Sequence, residues 1–373
     1  MLRAGAQVVI VLVVGLVAYL LWSNLTASMA RTNLTFGLGF LDTTAGFEIG
    51  ETPIPYSATD TYGQAFLVGL LNTLVVSVLG VILATILGIL VGVARLSTNW
   101  IVNRLAAGFV EVMRNTPLLV QLVLLYAVLI QLPPVAQSIR FGDSLFINQR
   151  GLFLPKPIPE PAFQAWLVVV ALAIASAVGL RMLAARREAA GRPIERAGLL
   201  GLLVLVGVPV AGYVALGGPI TFEPPVLDRF NFVGGIVLSP EFTALLVGLV
   251  IYTAAFIGEI VRGGIQAVRR GQIQAARALG LNDGQILSLV VFPQALRVIV
   301  PPLTSQYLNL AKNSSLAIAI GFPDLFQVST TMANQTGQPV SVIVLVMGTY
   351  LAISLIFSVI MNVYNRRVQV LER

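Results

Sequence analysis

Cysteine and histidine are absent from the 373-residue sequence, and only 10% of its residues carry charge. Without those two residue types there are no disulfides, no Cys/His metal sites, no thiol nucleophile, no Ser-His-Asp triad and no histidine pH switch. Lysine is nearly absent too. Lys156 follows Pro155 and Lys312 follows Ala311, so a Gly-Lys-Ser/Thr phosphate loop is excluded. Any ATP that drives this chain is bound by another. What is plentiful is apolar: 57% hydrophobic residues and a mean hydropathy of +0.89, against the roughly 25% charge of soluble domains. The chain reads as an all-α integral membrane protein. Its net charge of +7 falls on arginines beside apolar runs, which speaks for membrane orientation and against nucleic acid.

A span needs about 20 apolar residues. Eight segments qualify, roughly 7–22, 66–94, 107–131, 163–180, 197–216, 242–262, 298–320 and 340–364. Arginine concentrates in every second connection: Arg95 and Arg104; Arg181, Arg186, Arg187, Arg192 and Arg196; Arg262, Arg269, Arg270, Arg277 and Arg297; and Arg366, Arg367 and Arg373 in the tail. Those segments face the cytoplasm, together with both termini. The long Pro-rich segment 132–162, with Arg140, Arg150 and Lys156, is the exception on the outer side. The first segment, followed by Ser28-Met29-Ala30, reads either as a retained span or as a cleaved signal peptide. Residues 23–65 hold Asp42, Glu48, Glu51 and Asp60 and no long apolar run. They read as a loop or a small outer cap.

The connection between the sixth and seventh segments carries the densest local signal. Gln272–Leu281 makes a short helix with a small, smooth face of Ala275, Ala276, Ala278 and Leu279. Gly280 supplies the left-handed residue that ends it. Asn282-Asp283 caps a second helix, which Pro293 is expected to stop. Such a helix pair either docks into a groove on a partner or lies on the lipid surface.

Residues Gln274-Ala275-Ala276, Gly280, Leu281, Val290 and Phe292-Pro293 closely resemble the signature loop of ABC-importer permeases: Glu-Ala-Ala, three residues, Gly, nine residues, Ile, one residue, Leu-Pro. Gln replaces the usual Glu. Glu111-Val-Met-Arg-Asn-Thr-Pro-Leu-Leu-Val-Gln121, Tyr252-Thr-Ala-Ala-Phe-Ile-Gly-Glu-Ile-Val-Arg-Gly-Gly264 and Leu310-Ala-Lys-Asn-Ser-Ser-Leu316 resemble elements of polar amino-acid permeases, closest to the general L-amino-acid subgroup. The resemblance implies a five-helix permease core plus three extra helices. It divides the chain into an N-terminal helix and outer segment (1–65), the first part of the core (66–132), an insert with two spans (133–241), and the second part of the core (242–373) with a coupling loop at 265–297. It also implies a transport subunit of the bacterial inner membrane that is no enzyme and binds no cofactor or metal itself. Its partners would be two ATPase subunits that use the ATP, a second permease chain and an extracytoplasmic amino-acid-binding protein.

Buried polar groups mark a candidate path, because a charge in hydrocarbon costs about 2.5–3.5 kcal/mol. Lys312 is expected near the middle of its span, either facing the path or snorkelling, with Asn313, Ser314 and Ser315 beside it. Glu111 with Arg114, and Glu259 with Arg262, are spaced for i,i+3 pairs. Alternatively they cross-pair as a gate at the cytoplasmic mouth. Thr116-Pro117 is expected to bend its helix, with Gln121 one turn on. Tyr252 shares a face with Glu259 and either contacts substrate or fills helix–helix space. Gly88-x-x-x-Gly92 signals close helix packing. An ion-gradient-driven secondary transporter is the alternative from another class. Against it stand the missing histidines and the lone intramembrane acid, Glu259.

Overall fold

Apolar periodicity without polar faces makes long helices, and these dominate the computed structural model, which describes residues 2–31, 37–189 and 197–368. Helices α1 (Leu2–Arg31), α2 (Tyr62–Ala94), α3 (Trp100–Asn115) and α4 (Leu118–Leu129) come first. Strands β1 (Ile139–Phe141), β2 (Leu145–Asn148), β3 (Gly151–Leu154) and β4 (Lys156–Pro159) precede α5 (Phe163–Ala189) and α6 (Ala197–Ala215). Strands β5 (Ile220–Glu223), β6 (Val226–Asp228), β7 (Asn231–Val233) and β8 (Ile236–Leu238) follow. The chain ends with α7 (Pro240–Gln266), α8 (Arg270–Ala278), α9 (Asp283–Ile286), α10 (Phe292–Asn313), α11 (Leu325–Thr336) and α12 (Pro339–Val368). Among the described residues six helical segments are long and apolar enough to cross a membrane, or seven if α3 and α4 form one span, and α1 adds the shorter apolar run Val9–Leu21. Arg192, Arg196 and Arg373 lie outside the described residues.

The chain divides into two compact units, residues 1–128 with 241–373, and residues 129–240. In the first, glycine decides which helices touch. A Cβ on Gly92 would stand 2.7 Å from the Gly258 carbonyl oxygen, and one on Gly88 would stand 2.5 Å from Ile257 Cγ2. The Gly88/Gly92 face of α2 therefore lies flush on α7. Gly264 admits Ile299 and Gly248 admits Leu122 in the same way. The outer segment folds down as a cap. Phe40, Ala45 and Ile49 join Tyr62, Val68, Val328, Met332, Val342 and Val346 in one buried cluster. Asn72 Nδ2 donates 2.9 Å bonds to the Glu51 and Pro323 carbonyls, tying cap and α11 loop to α2.

The second unit contains α5 and α6, which pack on each other, and three small antiparallel sheets ordered β1-β2-β3-β8, β4-β5 and β6-β7. These strands are not foreseeable from the residue pattern, since three- and four-residue strands carry too little alternation to stand out. Val135, Phe146, Phe153 and Phe232 form their core.

Three expectations need correction. Residues 107–131 are not one straight span. Helix α3 ends at Asn115 and α4 leaves at 105°, because Pro117 has no N–H to continue the ladder and pushes Thr116 into extended backbone. Pro293 does not stop its helix. A π-helical turn at Leu287–Val291 precedes it, and Pro293 falls in the first turn of α10, where a missing N–H leaves no bond unmade. Lys312 is not mid-helix. It sits in the last turn of α10, just before the 3-10 stretch Ser314–Ile320.

Candidate functional site

The loop after α7 is built by its caps. Helix α8 ends in a Schellman arrangement: Gly280 N–H donates to the Arg277 carbonyl (2.9 Å) and Leu281 N–H to that of Ala276 (3.2 Å). Gly280 has φ +78, the left-handed region that glycine adopts without strain. Asn282 and Gln285 then form a reciprocal capping box at the start of α9. Ala276 and Ile286 turn inward, whereas Gln274, Ala275, Ala278 and Pro293 are exposed and Leu279 is 81% exposed. Leu281 is half-buried. The outcome is a rigid, short-helix turn that presents small residues and one bare leucine.

At the α3–α4 bend, Gln121 is a brace. Its Nε2 donates to the carbonyls of Met113 (2.9 Å) and Thr116 (3.0 Å), which the break at Pro117 leaves without helical partners. Thr116 Oγ1 returns to the Val112 carbonyl. Both residues thus hold the bend, and Gln121 Oε1 stays buried without a hydrogen-bond partner among the described residues.

The charged residues are sorted unexpectedly. Glu259 pairs with Arg262 on its own helix and also with Arg95 from the end of α2. Arg262 additionally donates to Gln266 Oε1 (2.7 Å). The expected Glu111–Arg114 pair is absent among the described residues. The Arg114 guanidinium instead lies 5.1 Å from the centre of the Phe256 ring, a cation–π arrangement. These groups line a cavity of about 480 Å³ formed by Arg95, Glu111, Arg114, Phe256 and Glu259 with neighbours on α3.

A second cavity, of about 230 Å³, lies between α7 and α10. It is lined by Tyr252, Thr253, Phe256, Gln306, Asn309 and Asn313. Phe256 is common to both cavities, and its ring stands 5.0 Å from that of Tyr252. Asn313 is where the sequence suggested, but Lys312 is exposed on another face. Ser314 Oγ and Ser315 Oγ donate to the Ala311 and Lys312 carbonyls and so serve the helix end. Sequence reasoning missed Gln306, Asn309 and Phe256. The signal was available: Gln306, Asn309 and Asn313 are an i, i+3, i+7 row of amides on one helix face, in a segment otherwise read for its lysine.

Residues 84–370 match the family model of the binding-protein-dependent transport system inner membrane component. The chain is 45% identical over 368 residues to the general L-amino acid transport system permease protein AapQ of Rhizobium johnstonii, covering 98% of this chain and 92% of that protein. It is 44% identical to the putative amino-acid ABC transporter permease protein YhdX of Escherichia coli, covering 98% and 93%. To the glutamate/glutamine/aspartate/asparagine permease protein BztB of Rhodobacter capsulatus it is 42% identical, with the same coverage. Among solved structures, an amino acid ABC transporter with histidines aligns with TM-score 0.50 and 23% identity, covering 82% of this chain and 95% of that one, a likeness of fold. None of these supports the gradient-driven alternative.

Proposed function

The chain belongs to the family of binding-protein-dependent transport system inner membrane components and is the permease component of an amino-acid ABC importer, and from that premise we propose that Gln274–Pro293 is where a separate ATPase docks. The observation that carries the proposal is the α8–α9 turn, with Leu279 bare at its tip and Gln274, Ala275 and Ala278 exposed on α8. A solitary exposed leucine is ordinary. One held on a capped, left-handed turn between two short helices is a preorganised plug for a groove. Two ATPase subunits would engage this loop and its counterpart on a second permease chain. An outer binding protein would deliver L-amino acids, and ATP would be hydrolysed in the partner. Both termini and the loop lie in the cytoplasm of this inner-membrane protein.

The proposed path descends α7. Substrate meets the amide row Gln306, Asn309 and Asn313 beside Tyr252, passes Phe256 and reaches the charged cavity at Glu259. Arg95, Glu259, Arg262 and Arg114 form the gate at the cytoplasmic mouth. Lys312 is left to the surface, where it neighbours a partner chain or lipid headgroups. The loop acts on the path because α10 runs without interruption from α9 through the π turn. A push on the docked turn therefore displaces the amide row. It biases the bundle only if the docked geometry differs between states.

The test is Gly280→Val. A β-branched residue at φ +78 is strained, so the turn opens while the spans stay intact. ATP-driven amino-acid uptake by reconstituted complex should fall at least tenfold, and the ATPase should co-purify less. Normal uptake with normal co-purification would remove the loop from the coupling.

A further inference from the structure

The charged cavity beside α3 is lined by two exposed, oppositely charged side chains, Glu111 and Arg114, that make no ion pair with each other. Glu259 is spoken for by Arg95 and Arg262. Glu111 makes no ion pair among the described residues, and Arg114 lies over the Phe256 ring at 5.1 Å instead of meeting a carboxylate. Glu111 and Arg114 are one turn apart on α3, where Cβ atoms stand about 5–6 Å from each other. A helical i,i+3 Glu–Arg pair is worth only about 0.2–0.5 kcal/mol, so a ligand can compete for both groups, which are exposed and open onto a cavity of about 480 Å³. An anion site and a cation site at that separation, beside an aromatic face, suit one class of small molecule: a zwitterion whose carboxylate and ammonium share one carbon.

We propose that this cavity is a release-side amino-acid binding site: Arg114 takes the α-carboxylate, Glu111 takes the α-ammonium, and Phe256 packs against the side chain. The other wall groups, Val110, Asn115 and the paired Arg95 and Glu259, mix apolar and polar character, so the site holds many amino acids weakly. The proposal rests on the cytoplasmic placement of the α3 end argued above. Its consequence is product control. Cytoplasmic amino acid that occupies the site retains Arg114 and slows the return of the bundle to its resting state, so import declines as the pool fills. The link to Glu259 is direct, because Arg95 and Glu259 line the same cavity.

The experiment uses the whole importer in proteoliposomes, with the ATPase side facing the lumen and ATP trapped inside. Initial uptake of labelled glutamine is measured against increasing unlabelled glutamine, alanine or acetate in the lumen, each variant being normalised to its own uptake into amino-acid-free vesicles. In the parent protein, lumenal glutamine and alanine should both slow uptake and acetate should not. Glu111→Gln should shift the inhibitory concentration at least tenfold, and Phe256→Leu should shift it less for alanine than for glutamine. Inhibition that acetate reproduces, the same inhibitory concentration in the parent and Glu111→Gln, or no inhibition at any lumenal concentration would each overturn the site. Sidedness is read separately. The chain has no cysteine, so Ala107→Cys, on the cavity wall, gives one thiol in this chain for a membrane-impermeant maleimide. Labelling from the lumenal face alone is the expected result. Labelling only from the outside would overturn both the placement and the site. Absence of any ATP-driven uptake by the parent protein would instead strike the importer premise.

Discussion

Two helices of this chain have the same mean hydropathy, 2.2, and different lives. In the α7 span 61% of the apolar window is buried, and in α6 none is. The glycines explain the contrast. Gly248, Gly258 and Gly264 of α7 have neighbouring helices where a Cβ would go and only Gly263 faces open space, whereas in α6 only Gly212 meets a neighbour, Val169 of α5 at 2.8 Å, and Gly198, Gly201 and Gly207 have nothing within 4 Å. Polar burial divides the same way. Asn72, Thr73, Gln121, Thr253, Ser314 and Asp324 are buried in the unit that contains α7, and Asn148 is the buried polar side chain of the other unit among the described residues. Apolarity says only that a helix tolerates hydrocarbon. Small residues and buried polar groups say that it must find protein there. Both proposed cavities open beside α7, the helix with the tightest packing.

The sharpest way to break this contrast is a pair of leucines. Gly92→Leu puts a side chain into the Gly258 backbone 2.7 Å away, which α7 cannot yield without moving. The cost should be about 3 kcal/mol or more, and we expect most of the protein to lose its monodisperse peak on mild heating in detergent. Gly207→Leu faces open space and should change stability by less than about 0.5 kcal/mol. Equal losses would mean that the Gly207 face of α6, open in this structure, is packed against protein.

Asp324 tests whether the polar burial is equally consequential. Its carboxyl caps α11 through the Gln327 N–H (2.8 Å), and the Tyr350 hydroxyl donates to it at 3.4 Å. Burial pushes its pKa up from 3.8 to about 6, against those hydrogen bonds. The folded state then holds the proton more tightly than the unfolded one. The stability it contributes is fully present below pH 3.8 and is lost as pH rises through about 6. One pKa unit is worth about 1.4 kcal/mol, so the loss is at most about 3 kcal/mol. Melting temperatures in detergent should fall across that window in the parent protein. The fall should be smaller in Asp324→Asn, which keeps the capping oxygen without the charge. Superimposable pH profiles would show that the carboxyl is hydrated.

Much of this was legible in the chain because single residues dictated it. Apolar runs placed the spans, Gly280 specified its own left-handed turn, Asn282 its cap, and Gly88/Gly92 a close contact. The failures have a common cause. Hydropathy averages over windows, so it ran straight through the 105° break at Pro117 and past the π turn before Pro293. Charge counting drew attention to Lys312, while the uncharged row Gln306, Asn309 and Asn313 faced the cavity. The bracing role of Gln121 also escapes such counting: the carbonyls freed by Pro117 need a donor, and an amide one turn on is well placed to supply it. The pairing of Arg95 with Glu259 links positions far apart in sequence, and no local spacing foretells it.

That pairing gives the smallest of the expected effects and the finest test of the contrast. Arg95 and Glu259 join two helices with side chains 22% and 26% exposed, and Arg262 reaches Glu259 within one helix at 27%. Partial exposure puts these contacts nearer to surface pairs than to buried ones, so the several kcal/mol of a buried broken pair do not apply. Arg95→Ala should cost about 1 kcal/mol, because it also releases the hold of α2 on α7. Arg262→Ala should cost about 0.5 kcal/mol, the scale of a local helical pair. Arg150→Ala, in the other unit, removes an exposed hydrogen bond to the Phe230 carbonyl and should cost less still. Raising salt to 1 M, where charges are screened beyond about 3 Å, should shrink the Arg262 effect more than that of Arg95, since part of the latter is helix contact. If Arg262→Ala proves the costlier change, the cluster is an ornament of α7 rather than a clasp between helices, and a gate built on it has nothing to open.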